Sequence, residues 1–202
     1  MNDGFKPLYE NVIQSTRKRI SGGAPYFLFT GAIHERKNIS NMLRAYDLFR
    51  TTNAERIKLV LAGNKKWWSA QMEETLNAMA HKDDVIFTGR VSDEELHLLT
   101  GSALAMVYVS FFEGFGIPVL EAMKCNVTVV ASNASALPEI CGDAALLVDP
   151  HLVSDIASAL SKAANDVPLR KSLIEKGRQR CENFSWEKTA GLLWNSVEKA
   201  MI

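Results

Sequence analysis

Residues 111–125 read FFEGFGIPVLEAMKC, a mostly apolar stretch with Glu113 and Glu121 on either side of Gly114, Gly116 and Pro118. Proline suits the first helical position, where its missing N–H would have no partner anyway. The glycines permit positive φ and let a ligand come close to the main chain. A helix opening here would point the N–H groups of about Phe115, Gly116 and Ile117 outward. With the helix dipole they form an anion site suited to phosphate. Glu121 lies one turn further on, and helical side chains lean back towards the N-terminus. That carries it towards the cavity Glu113 borders, where a carboxylate accepts hydrogen bonds from sugar hydroxyls. A plainer account covers the same residues. Val119, Leu120 and Met123 share one side of a helical wheel and Glu121 and Lys124 the other, so an exposed i,i+3 ion pair needs no ligand.

A second group is TGAIHERKN, residues 30–38. Gly31 closes a strand, and Arg36 and Lys37 stand just before a helix that opens near Asn38 or Ser40. Two cations at a helix N-terminus oppose its dipole, so solvation, a nearby carboxylate or an anionic ligand must offset them. Arginine grips phosphate with two parallel bonds and lysine acts as a point charge. Arg90 and Val91, in TGRVS, fall on a loop at the same edge, either against a nucleobase or as ordinary loop packing. Trp67 and Trp68 are adjacent and face different ways, so one of them is expected in the core. His34 lies in the basic loop. Walker-type and G-x-G-x-x-G phosphate loops and a G-x-S-x-G nucleophile are all absent from the sequence.

The elements that must position these residues follow from periodicity. Apolar runs at 26–30, 57–62, 85–89, 103–110, 127–132 and 145–149 read as buried strands. Helical spacing marks 5–20, 38–52, 66–80, 118–124, 151–165, 169–181 and 185–200, and Ser92 with Glu95 forms a capping box before another helix. Continuous apolar strands alternating with helices imply an α/β fold: a Rossmann-like, doubly wound parallel sheet of about six strands with helices on both faces. In such sheets ligands sit beyond the carboxyl ends of the strands, where the loops above lie.

The chain has 202 residues, with 23 basic and 23 acidic side chains, so nothing in its net charge calls for nucleic acid or an anionic surface. Cys125, Cys141 and Cys181 are too few and too widely spaced for a disulfide framework or a zinc site, and fit reduced thiols in a cytoplasmic protein. No signal-peptide pattern and no apolar run long enough to cross a bilayer is present.

EGFGIPVLEAM is similar to the E-x(7)-E signature of retaining, nucleotide-sugar-dependent glycosyltransferases of the GT-B fold. The resemblance extends in the family's order to GAIHERKNI, FTGRVSDEEL, ASNASALPEICGDAALLVDP and FSWEKTA. It implies that Glu113 lies by the donor sugar as the catalytic carboxylate, Glu121 on the nucleotide ribose, and Arg36 and Lys37 on the diphosphate. Gly31, Arg90, Val91, Phe115, Gly116 and Ile117 complete the nucleotide-sugar site. Many members carry arginine directly after the first glycine. Here that position is Ala32, and the RKN variant supplies the arginine before the lysine instead. The resemblance implies a UDP- or GDP-linked donor, with the ERKN pattern leaning to GDP-mannose, and transfer of a hexose to a glycan or lipid-linked acceptor in polysaccharide biosynthesis. No cofactor and no divalent metal are expected, since the sequence has no D-x-D pair.

Family enzymes have two Rossmann-like domains, and this chain resembles the donor-binding one. Residues 1–24 are then expected to be a linker and leading helix, 25–184 the donor domain, and 185–202 a crossover helix with an exposed apolar strip that favours self-association. An acceptor-binding domain or partner chain would complete the enzyme, which would be cytoplasmic or peripheral at the membrane. A nucleotide-sugar-binding module without catalysis is the alternative function.

Overall fold

The protein is described here by a computed structural model covering residues 4–201. The ends of the expected linker and crossover segments, residues 1–3 and 202, lie outside the described residues. Six strands form one parallel sheet: β1 (Tyr26–Thr30), β2 (Lys58–Ala62), β3 (Val85–Gly89), β4 (Ala105–Tyr108), β5 (Thr128–Ser132) and β6 (Leu146–Val148). Their spatial order is β3-β2-β1-β4-β5-β6, the doubly wound order of a Rossmann sheet. The expected fold class is therefore correct. β1 is buried along its whole length, as are β4 and β5, because helices cover both faces.

One face carries α2 (Ile39–Thr52) and α3 (Ala70–Ala78), which connect β1 to β2 and β2 to β3, together with α7 (Val153–Asn165), packed on α2. α2 buries Ile39, Met42, Leu43, Ala45, Tyr46 and Phe49, and Phe49 meets Phe27 of β1 edge-on at 5.3 Å. A second set of contacts joins α1 (Glu10–Ser21), α4 (Asp93–Ser102), α5 (Ile117–Lys124) and α8 (Val167–Cys181). The chain reverses direction across the sheet between β3 and β4, so β1 and β4 lie side by side while their loops diverge. That divergence opens the crevice in which ligands of such folds bind.

Element boundaries differ from the sequence expectations where tertiary contacts intervene. The leading helix starts at Glu10 rather than near residue 5, because Phe5 is buried against His97 of α4 and Tyr9 remains extended. The expected helix over 66–80 starts only at Ala70, where Ser69 caps it by accepting from the Met72 N–H. Within the expected loop ASNASALPE a short helix, α6 (Leu137–Cys141), opens on Pro138. Ser92 accepts from the Glu95 N–H as a capping box requires, while the Glu95 carboxylate pairs with Arg19 of α1 at 2.8 Å.

The terminal helix α9 (Trp186–Ala200) has no buried residue. Trp186, Leu193, Val197 and Ala200 are all exposed. Among the described residues no helix is long and apolar enough to cross a membrane.

Candidate functional site

Two loops meet beyond the crevice between β1 and β4. After β1, Gly31 turns the chain at φ 134° and leads to a 3-10 turn, Glu35–Lys37. His34 caps that turn by accepting from the Arg36 N–H at 3.1 Å. Asn38 follows in the left-handed region at φ 60°, and its buried amide donates to the carbonyls of Val109 (2.9 Å) and Pro150 (2.7 Å). Phe111 N–H donates to the Arg36 carbonyl at 3.0 Å. The basic turn is thereby fastened to the loop after β4. That second loop carries Glu113, whose N–H donates to the Ser135 hydroxyl at 2.9 Å.

The two loops bring Arg36, Lys37 and Glu113 together. Lys37 is buried and its ammonium lies 2.6 Å from Glu113 Oε1, while Arg36 Nη1 lies 3.3 Å from Oε2 and 2.5 Å from the Phe112 carbonyl. The tension of two cations before a helix is thus relieved by a carboxylate, one of the three means the sequence left open. The cluster holds two cations against one carboxylate. Burial pushes the Glu113 carboxyl upward. The hydrogen bond and charge of Lys37, with the charge of Arg36, outweigh that and hold it below the ordinary carboxylate range.

Beside this cluster a cavity of about 330 Å³ is lined by Gly31, Asn64, Arg90, Val91, Pro118 and Glu121, among others. A side chain on Gly31 would come within 3.9 Å of Lys37 Cε, so this glycine stands between the cavity and the cations. Glu121 is half-buried at its wall, not on an open surface as the plainer reading required. Burial, then the charge of Asp93, raises its pKa above the ordinary value. The cavity floor is tight: a Cβ at Gly63 would lie 1.8 Å from the Gly31 carbonyl oxygen, so only glycine lets the β1 and β2 loops approach this closely.

Gly116 caps α5 at φ 124°, and the Val119 N–H bonds its carbonyl at 3.0 Å. Among the described residues no hydrogen bond uses the N–H of Phe115, Gly116 or Ile117, which leaves these donors available at the helix opening. The side chains of Phe115 and Ile117 go elsewhere. With Leu120, Phe184 and Trp186 they line a separate apolar hollow of about 230 Å³. What these two residues present at the helix opening is their main chain. Of the two tryptophans, Trp68 packs on Phe87 at 5.3 Å, and Trp67 is exposed beside His34 at 6.0 Å.

Tyr108, Ser135 and Asn38 were not singled out by their sequence. Tyr108 is buried at the end of β4 and its hydroxyl lies 2.7 Å from the Lys37 ammonium. The only sequence signal was a polar atom within an otherwise apolar strand.

Residues 13–180 match the family described as "Glycosyl transferases group 1". The chain is 37% identical over 162 residues to "O-antigen chain mannosyltransferase B" of Escherichia coli, covering 80% of this chain and 42% of that protein. It is 33% identical over 184 residues to "Serotype-specific mannosyltransferase WbdA" of Escherichia coli, covering 89% of this chain and 22% of that protein. The chain thus spans less than half the length of these relatives. Among solved structures it resembles the C-terminal domain of a glycosyl transferase group 1 family protein (LpcC) from Francisella tularensis. That likeness has a TM-score of 0.77 and 25% identity, covering 89% of this chain and 94% of that one. A TM-score of 0.84 at 15% identity relates it, in fold alone, to Anabaena Alr3699/HepE in complex with UDP-glucose, over 98% of this chain and 55% of that one.

Proposed function

This chain belongs to the glycosyl transferases of group 1, and on that premise we propose that it is the donor-binding half of a retaining glycosyltransferase. The donor is a nucleotide sugar, GDP-mannose before UDP-linked hexoses, and the acceptor a glycan or lipid-linked sugar in polysaccharide biosynthesis. Mannosyltransferases among the relatives support the sugar. The observation that carries the reading is the meeting of Arg36, Lys37 and Glu113 at the β1/β4 crevice, beside a cavity walled by Glu121.

In transfer, the bond from the anomeric carbon to the phosphate oxygen breaks, a bond to the acceptor oxygen forms on the same face, and the acceptor hydroxyl gives its proton to the departing diphosphate. Negative charge grows on the departing diphosphate while the sugar takes on oxocarbenium character. Lys37 and the α5 N–H groups are fixed donors for the first charge and Arg36 is a second cation beside them, which is electrostatic stabilisation without a divalent ion. A carboxylate has about four lone-pair sites, and the two ion pairs leave Glu113 acceptor capacity for donor-sugar hydroxyls. Glu121 accepts from the ribose, with Arg90 and Val91 beside the base. The acceptor is held by a second domain or a partner chain.

Calorimetric titration of the chain with GDP, UDP and their sugars tests the reading directly. Micromolar binding of at least one diphosphate is expected, and no binding of any would remove the donor site. The non-catalytic alternative binds the same ligands. It is separated by turnover once an acceptor-binding domain is supplied.

A further inference from the structure

Lys37 is a long, flexible side chain, yet its ammonium is buried, and one of its three N–H donors points to Glu113 Oε1 at 2.6 Å. We propose that the Tyr108 hydroxyl is the positioning group that aims the Lys37 ammonium at the donor phosphate, an inference that rests on the donor-site reading above.

Tyr108 takes a second donor at 2.7 Å, and its ring lies 4.8 Å from the same nitrogen. With two of the three tetrahedral N–H directions fixed, the third is fixed as well. Lysine otherwise presents a point charge that rotates on a four-carbon stem. Here the free N–H is set before the ligand arrives, so less freedom is lost on binding. The ring is itself immobilised. Its place at the end of a buried strand holds it, and Phe29 lies nearly parallel beside it, 6.1 Å between centroids and 18° between planes. Burial, then the negative charge of Glu113, keeps Tyr108 a phenol well above its ordinary titration range, so its oxygen accepts from Lys37 throughout the physiological range. A phenylalanine would fill the same space beside the same ring; only the hydroxyl serves Lys37. Arg36 differs, since its side chain is nearly half exposed and is held by one nitrogen. Tyr108 therefore gives the two cations different tasks, Lys37 as the fixed contact and Arg36 as the adaptable one.

The test uses the 202-residue chain, labelled with ¹⁵N for observation of lysine ammonium groups. One slowly exchanging ammonium resonance is expected in the wild type, assigned by its loss in Lys37→Met. Tyr108→Phe should lose it too, and should weaken GDP and UDP binding about tenfold, as for one charge-assisted hydrogen bond, while guanosine and uridine binding stay unchanged. Phe29→Leu keeps the hydroxyl but removes the neighbouring ring. It should retain the resonance and bind diphosphate within about twofold of wild type. Tyr108→Phe with the resonance intact, or with unchanged diphosphate affinity, overturns the proposal. So does loss of the resonance in Phe29→Leu, which would assign the effect to packing. A wild type that binds neither diphosphate refutes the donor site instead, and the resonance still decides whether Tyr108 fixes Lys37.

Discussion

Lys37 and Arg36 share a single carboxylate, and the arithmetic of charge around them yields three expectations. Lys37→Ala should lose about 10- to 150-fold in diphosphate affinity, the equivalent of about 1.5–3 kcal/mol for a charge-assisted bond. Calorimetry showing unchanged affinity would withdraw the phosphate assignment. In a two-domain enzyme carrying this domain, Glu113→Gln should reduce turnover more than nucleotide binding. Glu121→Ala should do the reverse, because the ribose is present equally in ground and transition states. Near-normal turnover in Glu113→Gln, or activity abolished by a chelator, would show this division of roles to be mistaken. The third expectation concerns pH. Lys37 and Arg36 depress the Glu113 pKa below its ordinary value of 4.5 in spite of burial. A carboxyl that titrates lower in the fold than in the unfolded chain adds stability that is complete above the unfolded value and is lost as pH falls through the folded one. Urea unfolding should therefore find Glu113→Gln less stable than wild type at pH 7, with the gap closing below about pH 4.5. A gap that stays constant into acid would mean that the ion pairs contribute nothing.

Gly116 is the residue on which the opening of α5 turns. Its φ of 124° is strained for any other residue, and a Cβ there would lie 2.7 Å from Leu137 Cδ2. Gly116→Ala should cost about 1–3 kcal/mol in urea unfolding and weaken diphosphate binding as the first turn shifts. Unchanged stability would mean the turn relaxes freely. Such element openings were readable from the sequence because proline, glycine and capping residues act locally: β1 and β3 fall where the apolar runs place them, and Ser92 caps α4 as its spacing demands. What escaped was set by distant residues. Phe5, docked on α4, holds residues before Glu10 out of the helix, and Tyr108 reads as one more strand residue until β1 and β4 are side by side. Arg36, Lys37, Glu113 and Glu121 could be named because their charges are unusual in apolar or dipole-opposed settings. That Glu113 neutralises the cations could not, since it depends on two loops 76 positions apart meeting. The signature motifs also marked Phe115 and Ile117, but motif position does not say which way a side chain turns, and both turn to the hollow beside α9.

At the scale of the whole molecule, the proposed function makes this chain one wall of a crevice, and among the described residues the structure has one uncovered helix. α9 exposes Trp186, Leu193 and Val197 in one strip, with its Trp186 end bordering the hollow lined by Phe115 and Ile117. Uncovered apolar area of this kind favours association. Sedimentation of the isolated chain should show concentration-dependent self-association that Leu193→Glu reduces; a monomer at every concentration would count against it. The association state must be known before activity is judged, because a second copy could in principle close the crevice. With that controlled, the monomeric chain is expected to bind donor but to transfer no sugar. Holding two reactants in register is worth about 7–11 kcal/mol of barrier, and this depends on both being bound at once. On the proposed function, the cations, the carboxylate and the cavity beyond β1 and β4 serve the donor, which is one of the two reactants. An acceptor arriving from solvent would meet the anomeric carbon without that gain, and each tenfold of rate corresponds to about 1.4 kcal/mol. Incubation of a verified monomer with donor and a mannosyl acceptor should therefore give no transfer above background. Adding an acceptor-binding domain should restore it. Transfer by the monomer alone would mean that this wall, by itself, holds both reactants.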